Sequence, residues 1–456
     1  MPRLRWTYFL LPGVIMLMLL AGCLLDVWPD DFNKFSRGKG KPEIQLIQDW
    51  NKHALLAERY AEGFRIPVVA RMYAYLGIAA YETAAWKTHA QSYNGLIPGW
   101  SKPTLPDSIY LPIALNTCYM TMMEQFFIHA PHVVEQDRIQ VRNKWSRHFE
   151  GVIEQSLLNR SAKWGEDVAR AVFAWSATDS LGHLSHLHNY DRAFVIPGAP
   201  GNWKPSEEEY MPPLLPFWGH VRTFTTSVSE FPIQPKIPYS ERKGSTYYNQ
   251  VYELYALSSP LSYENKWIAE FWSDDHPGLT FSPAGRWISI AIQVIDQTRP
   301  SVATTLKTYL KTGIALSDAA VLCWNGKFQF LTERPETFIR DVIDPKWRPL
   351  LSSPPFPGYP SGHSAMGAAV AEVLTDIYGQ NFRMTDRSHE GRREFKGDPR
   401  SYASFYEMSR ESAFSRLVLG VHIRADCEEG LRLGVLIGRK VAEIPITDLL
   451  AGGSPE

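Results

Sequence analysis

Three short segments between residues 318 and 426 carry the residue types that hold an oxyanion and work on it. Lys327 is followed by Arg334-Pro335, then comes Pro360-Ser361-Gly362-His363, and Ser415-Arg416 precedes His422 and Asp426. A lysine offers a compact ammonium, and arginines present forked donors that match the oxygens of a phosphate-like group. Ser361 and Gly362 lie where a proline-rich stretch gives way to an apolar helix starting at His363. Their backbone N–H groups and the serine hydroxyl can therefore address an anion at a helix N-terminus. His422 and Asp426 are spaced so that a helical stretch with a local turn can aim them, with Arg416, at one pocket. A carboxylate behind one ring nitrogen fixes which nitrogen faces the anion.

The elements that must position these residues read as helices. Apolar residues recur every three or four positions near 44–60, 67–89, 109–130, 135–158 and 161–178, and again near 247–257, 262–272, 283–297, 300–323, 335–342, 362–378, 404–420 and 424–442. Between 182 and 246 the pattern breaks into a segment with Pro197, Pro200, Pro205, Pro212, Pro213, Pro216, Pro232, Pro235 and Pro238, too many for helix interiors. Loops of that length in a compact body are usually functional covers, and Trp203, Phe217, Trp218 and Phe224 give this one material to pack with. The expected fold is all-α: a helical bundle with long irregular proline-rich loops. Its expected parts are a signal at 1–23, a tether at 24–43, an N-terminal helical half at 44–246, a C-terminal half at 247–445 carrying the site, and a tail at 446–456.

The ordered set of segments resembles the type 2 phosphatidic acid phosphatase and vanadium-dependent haloperoxidase superfamily, whose three signature segments all match. The resemblance implies one shared site: Lys327, Arg334, Ser361, Gly362 and Arg416 cradle the oxyanion, His422 bonds its central atom with Asp426 behind it, and His363 is the acid–base residue. Chain length, the Asp318, Trp324 and Lys327 spacing, and Pro354-Pro355-Phe356-Pro357 before the glycine turn are similar to the haloperoxidase branch. That branch implies vanadate as cofactor and hydrogen peroxide and a halide as substrates, with an organic acceptor left open. It further implies that Lys327 donates to bound peroxide, and that Trp324 and Phe356 form a dry halide approach favouring iodide, then bromide, over chloride. Two other readings stay open: an exported acid phosphatase in which His422 becomes a phosphohistidine, and an anion-binding lipoprotein without turnover.

Composition bounds the rest. Hydrophobic residues make up 45% and charged residues 21%, ordinary globular values, and a net charge of −1 leaves nothing to hold a nucleic-acid backbone. Arg3 and Arg5, an apolar run, and Leu20-Ala21-Gly22-Cys23 read as a bacterial lipoprotein signal, which makes Cys23 the lipidated mature N-terminus. The expected product is exported and touches a membrane through that lipid only. Cys118, Cys323 and Cys427 sit in helix-like apolar contexts and are expected as buried free thiols. His183, His186 and His188 look like a metal site but cannot share a helical face and open an irregular loop, so they are taken as loop histidines. Asp318 is expected either at the surface or as a partner of Arg416, and Asp274 and Asp275 either as turn caps or at the substrate.

Overall fold

The computed structural model describes residues 41–85, 99–205, 211–274, 276 and 278–446. The signal with Cys23, nearly all of the tether, Asp275 and the tail beyond 446 lie outside them. Among the described residues there are thirteen α-helices, and the sole sheet is a two-stranded antiparallel ribbon, Met384–Asp386 (β1) with Arg400–Tyr402 (β2). The all-α expectation holds.

The first five helices are Pro42–Tyr60 (α1), Ile66–Ala84 (α2), Leu111–Phe126 (α3), His132–Phe149 (α4) and Gln155–Ser176 (α5). The stretch expected as one helix near 135–158 is broken: Gly151 takes a φ of 73°, a left-handed turn that ends α4 before α5 begins. The later helices are Thr246–Ser258 (α6), Tyr263–Phe271 (α7), Pro283–Thr298 (α8), Val302–Phe330 (α9), Pro335–Phe338 (α10, continuing into a π turn at Ile339–Ile343), Gly362–Tyr378 (α11), Phe405–Val418 (α12) and Arg424–Ala442 (α13). Serine side chains cap α6, α7, α8, α9, α11 and α12 by accepting a backbone N–H of the first turn, which is why these helices start where they do.

The 29-residue α9 is the axis of the body. It packs along α2 on one side and along α11 and α13 on the other, so the two sequence halves share one core. Lys327 projects from its last turn, and the chain reverses at Leu331 to present Arg334. The closest helix pair is α11 with α13, and glycine makes it so. A Cβ on Gly430 would lie 2.6 Å from the Ser361 carbonyl oxygen, and Cβ atoms on Gly434 and Gly438 would meet the Ala365 and Ala369 carbonyls as tightly. This stripe lets α13 lie directly on the backbone that carries the glycine turn and His363.

The proline-rich excursion is pinned to the end of α9. Trp203 donates its N–H to the Leu331 carbonyl, Leu214 donates to that of Pro355, and Glu333 donates to that of Gly201. Asp318 is the largest anchor and corrects both sequence expectations for it. Fully buried on α9, it accepts the N–H groups of Phe224 and Thr225 at 2.8 Å and the Thr225 hydroxyl at 2.7 Å. It is neither a surface residue nor a partner of Arg416.

Candidate active site

A cavity of about 600 Å³ opens where α9, α11, the turn after α12 and the 350–356 loop meet, and Trp324, Phe356, Gly362, His363, Arg416 and His422 all line it. The proline-rich turn ends at Ser361, whose hydroxyl oxygen accepts the Ser364 N–H at 3.4 Å and caps α11. Ser361 in turn donates its N–H to the Asp426 carbonyl at 2.9 Å, which locks the start of α11 to the start of α13. Helix α12 stops at Val418, and the chain turns back through Gly420 at φ 87°, where a Cβ would lie 2.8 Å from the Trp347 ring. That turn delivers His422 to the cavity and leaves Asp426 in the first turn of α13. The sequence spacing thus works through a loop followed by a helix start.

His422 is buried between two partners. Its Nδ1 faces Asp426 Oδ2 at 3.2 Å, and the same oxygen accepts the Ile423 N–H at 3.2 Å. On the other side its Nε2 lies 3.1 Å from Arg334 Nη1. A guanidinium can only donate, so Nε2 is the bare acceptor and Nδ1 carries the hydrogen. Burial, then the charges of Arg334, Lys327 and Arg416, hold the imidazole well below its usual pKa and keep Nε2 unprotonated. Burial pushes Asp426 above the ordinary carboxylate range, and Lys327 and Arg334 pull it back.

Arg334 is held by the Phe356 and Val421 carbonyls, each at 2.9 Å, and its Nη2 is buried with no hydrogen-bond partner among the described residues. Lys327 is arranged otherwise than the sequence suggests. Its ammonium donates to the carbonyls of Pro357 and Gly358 at 2.9 Å and of Pro360 at 2.6 Å. All three hydrogens are engaged, so Lys327 braces the glycine turn and adds positive field; donation to a bound peroxide requires it to leave a carbonyl. Burial drives its pKa far below the usual lysine range.

His363 stands one residue into α11 with its Nε2 3.1 Å from Arg416 Nη1 and 3.9 Å from Asp274 Oδ2. Arg416 is fixed by the Ser415 hydroxyl at 2.9 Å and by the Trp272 carbonyl. Burial first, and Arg416 second, hold His363 well below its usual pKa, so the ring is neutral. Asp274 is no turn cap: it is buried at the cavity wall with Arg286 and His389 each 3.7 Å from its Oδ1, and Asp386 lies 2.9 Å beyond on Arg286. Burial raises the Asp274 carboxyl to about 6. Arg286, Asp386 and His389 were not singled out in the sequence. Arg286 lies on α8 while Asp386 and His389 lie at and just after the end of β1, two stretches far apart in the chain that no spacing rule joins.

Trp324 and Phe356 meet as a tilted pair with centroids 4.9 Å apart, and the Trp324 Nε1–H is tied to the Leu214 carbonyl. The Phe356 ring also lies over Lys327 and Arg334 at 5.1 and 5.0 Å. The Phe356 ring therefore covers one side of each of these cations. Away from the site, Cys118, Cys323 and Cys427 are buried free thiols as expected. His186 stacks on Phe64 with centroids 4.6 Å apart, and among the described residues no cluster suits a metal cation.

An oxyanion cofactor fits these residues. A buried guanidinium nitrogen lacks a partner among the described residues, and an imidazole acceptor nitrogen is aimed by a carboxylate. Fold and site together define the class of α-helical oxyanion enzymes to which the haloperoxidases belong.

Comparison with known proteins narrows the class. The profile of the VCPO second helical-bundle domain matches residues 307–447. The vanadium chloroperoxidase of Curvularia inaequalis is 27% identical over 161 residues, a match that spans 25% of this chain and 26% of that protein. A solved bacterial vanadium-dependent iodoperoxidase is 28% identical, covers 88% of this chain and 97% of its own, and superposes with a TM-score of 0.78. A holo-type bacterial vanadium-dependent chloroperoxidase, 17% identical, shares the fold over 91% of this chain and 97% of its own with a TM-score of 0.66. These matches support a vanadium haloperoxidase, with the family's second helical-bundle domain at residues 307–447.

Proposed function

We propose that the protein is a vanadate-dependent haloperoxidase that oxidises iodide most readily, using hydrogen peroxide, to hypoiodous acid. The observation that carries this reading is His422: an unprotonated Nε2, aimed by Asp426 from behind and flanked by Arg334, at the edge of a cavity lined by Arg416 and the N-terminus of α11. Vanadate, when bound, supplies Lewis-acid activation of peroxide at a fixed oxidation state. His422 would hold it through Nε2, and Arg334 Nη2, Arg416 and the backbone N–H groups of Gly362 and His363 would donate to it. His363, neutral and held by Arg416, accepts a proton from incoming peroxide at Nε2 once that nitrogen gives up its bond from Arg416 Nη1. Lys327 keeps the Pro357 to Pro360 turn in place and adds charge beneath it.

Trp324 and Phe356, with Leu350 and Leu351 nearby on the wall, exclude water from the approach. Dehydration costs least for the largest halide, which is also the easiest to oxidise, so the expected order is iodide, bromide, chloride. The likeness to the iodoperoxidase supports that order. An N-terminal lipid on Cys23 and export to a bacterial membrane surface complete the proposal, supported by the basic, apolar and small-residue pattern of residues 1–23. The test is reconstitution of metal-free protein with vanadate, followed by initial rates with iodide, bromide and chloride beside hydrolysis of a phosphomonoester. Phosphatase turnover without halide oxidation refutes the assignment, and chloride oxidised as fast as iodide refutes the account of Trp324 and Phe356.

A further inference from the structure

The wall of the cavity carries a group that the proposed chemistry does not use. Among the described residues two methionines line it, Met211 and Met366. Met211 is partly exposed, whereas Met366 is 1% exposed. Met366 follows His363 by three residues on α11, so the two share a helix face. Its methyl carbon lies 3.9 Å from where a Cβ on Gly362 would stand, and Trp324 lies beside the same point. Met72, Met122, Met123, Met384 and Met408 are buried elsewhere and do not line the cavity.

We propose that Met366 is a modification site of the enzyme itself, oxidised to the sulfoxide by hypohalous acid formed in this cavity. The inference rests on the haloperoxidase reading above. The thioether is a soft, polarisable nucleophile that needs no deprotonation. Cys323, near the same point, is a buried thiol whose pKa is raised by burial, so it offers no thiolate. The sulfur lone pair attacks the halogen and expels hydroxide; water then adds to sulfur, and halide and protons leave. In sum, thioether and hypohalous acid give sulfoxide, halide and one proton. Sulfur loses two electrons and the halogen gains two. Met366 lines the cavity in which the hypohalous acid forms, so reagent made there meets its thioether at high local concentration before it escapes to solvent. The sulfoxide sets a polar oxygen in an apolar wall one turn from His363, which slows later turnovers.

The experiment uses the full-length protein with vanadate, hydrogen peroxide and iodide, sampled at increasing numbers of turnovers. Triiodide absorbance gives the turnover number, and peptide mass mapping gives sulfoxide at each methionine. The expected result is Met366 sulfoxide rising with turnover while Met72 and Met122 stay unmodified. Peroxide and vanadate without halide should leave Met366 intact. Hypohalous acid added to vanadate-free protein should oxidise Met211 ahead of Met366. A Met366→Leu variant should complete several-fold more turnovers before losing half its initial rate. Halide turnover with Met366 unmodified overturns this proposal and leaves the function standing. Equal oxidation without halide overturns the hypohalous acid route, and failure to oxidise halide overturns both readings.

Discussion

Asp426 lends itself to a quantitative test because its carboxylate does one geometric job and one electrostatic job. Its Oδ2 accepts from His422 Nδ1 and from the Ile423 N–H, both at 3.2 Å, with both side chains nearly fully buried. An asparagine oxygen can occupy the same place and keep both bonds without the charge. A bond to a charged acceptor contributes about 1.5–3 kcal/mol and a neutral one about 0.5–1.5, so Asp426→Asn loses about 1–1.5 kcal/mol of support for the ring. That corresponds to roughly tenfold weaker vanadate binding. Asp426→Ala leaves Nδ1–H and the Ile423 N–H without an acceptor and should cost about a hundredfold, in the range seen when a ligand histidine loses its partner. Phosphate senses the cradle but gains no bond from Nε2. Removing a negative charge near Lys327 and Arg334 should leave phosphate binding equal or tighter. Equilibrium dialysis of both anions against the folded variants, with circular dichroism as the folding check, separates the two jobs. If vanadate affinity is unchanged, or rises in parallel with phosphate, Asp426 does not act through His422.

His422→Ala should abolish tight vanadate binding and retain weak anion binding by the cationic cradle, and unchanged affinity in dialysis would refute the ligand assignment. His363→Ala should retain vanadate yet lose turnover, since this ring moves protons and holds no metal; wild-type iodide turnover across pH 5 to 8 would refute that role. Asp318→Ala removes the acceptor of three half-buried donors and should destabilise the protein by about 1–3 kcal/mol in denaturant melts, without changing vanadate affinity.

The chemistry of the site was legible where it depends on local pattern. Helix periods and the order of Lys327, Arg334, Ser361, Gly362, His363, Arg416, His422 and Asp426 are written in short windows; the structure sets Gly362, His363, Arg416 and His422 on the cavity wall and packs the others behind them, with the Ser361 N–H given to the Asp426 carbonyl instead of an anion. The directions of individual donors were not. Nothing in the sequence near Lys327 indicates that three carbonyls of a turn thirty residues later engage its ammonium. Asp318 was misplaced for a related reason: its partners are backbone groups at 224 and 225, and a backbone N–H leaves no trace in residue types. Asp274 was seen without a role because that role depends on Arg286, His389 and His363, gathered from elements far apart in the chain.

The glycine stripe of α13 bears on how far this scaffold can be altered. Gly430, Gly434 and Gly438 set the distance between two backbones, and the carbonyl nearest Gly430 belongs to Ser361. A methyl group at any of them pushes α13 outward, and with it Asp426 and the aim of the His422 ring. Phe356, Leu350 and Leu351 lie on loops across the cavity and can change without moving that spacing. A mutational library aimed at halide choice therefore has its freedom on one wall only. On the other, a single added carbon retunes the cofactor seat before it reaches the substrate.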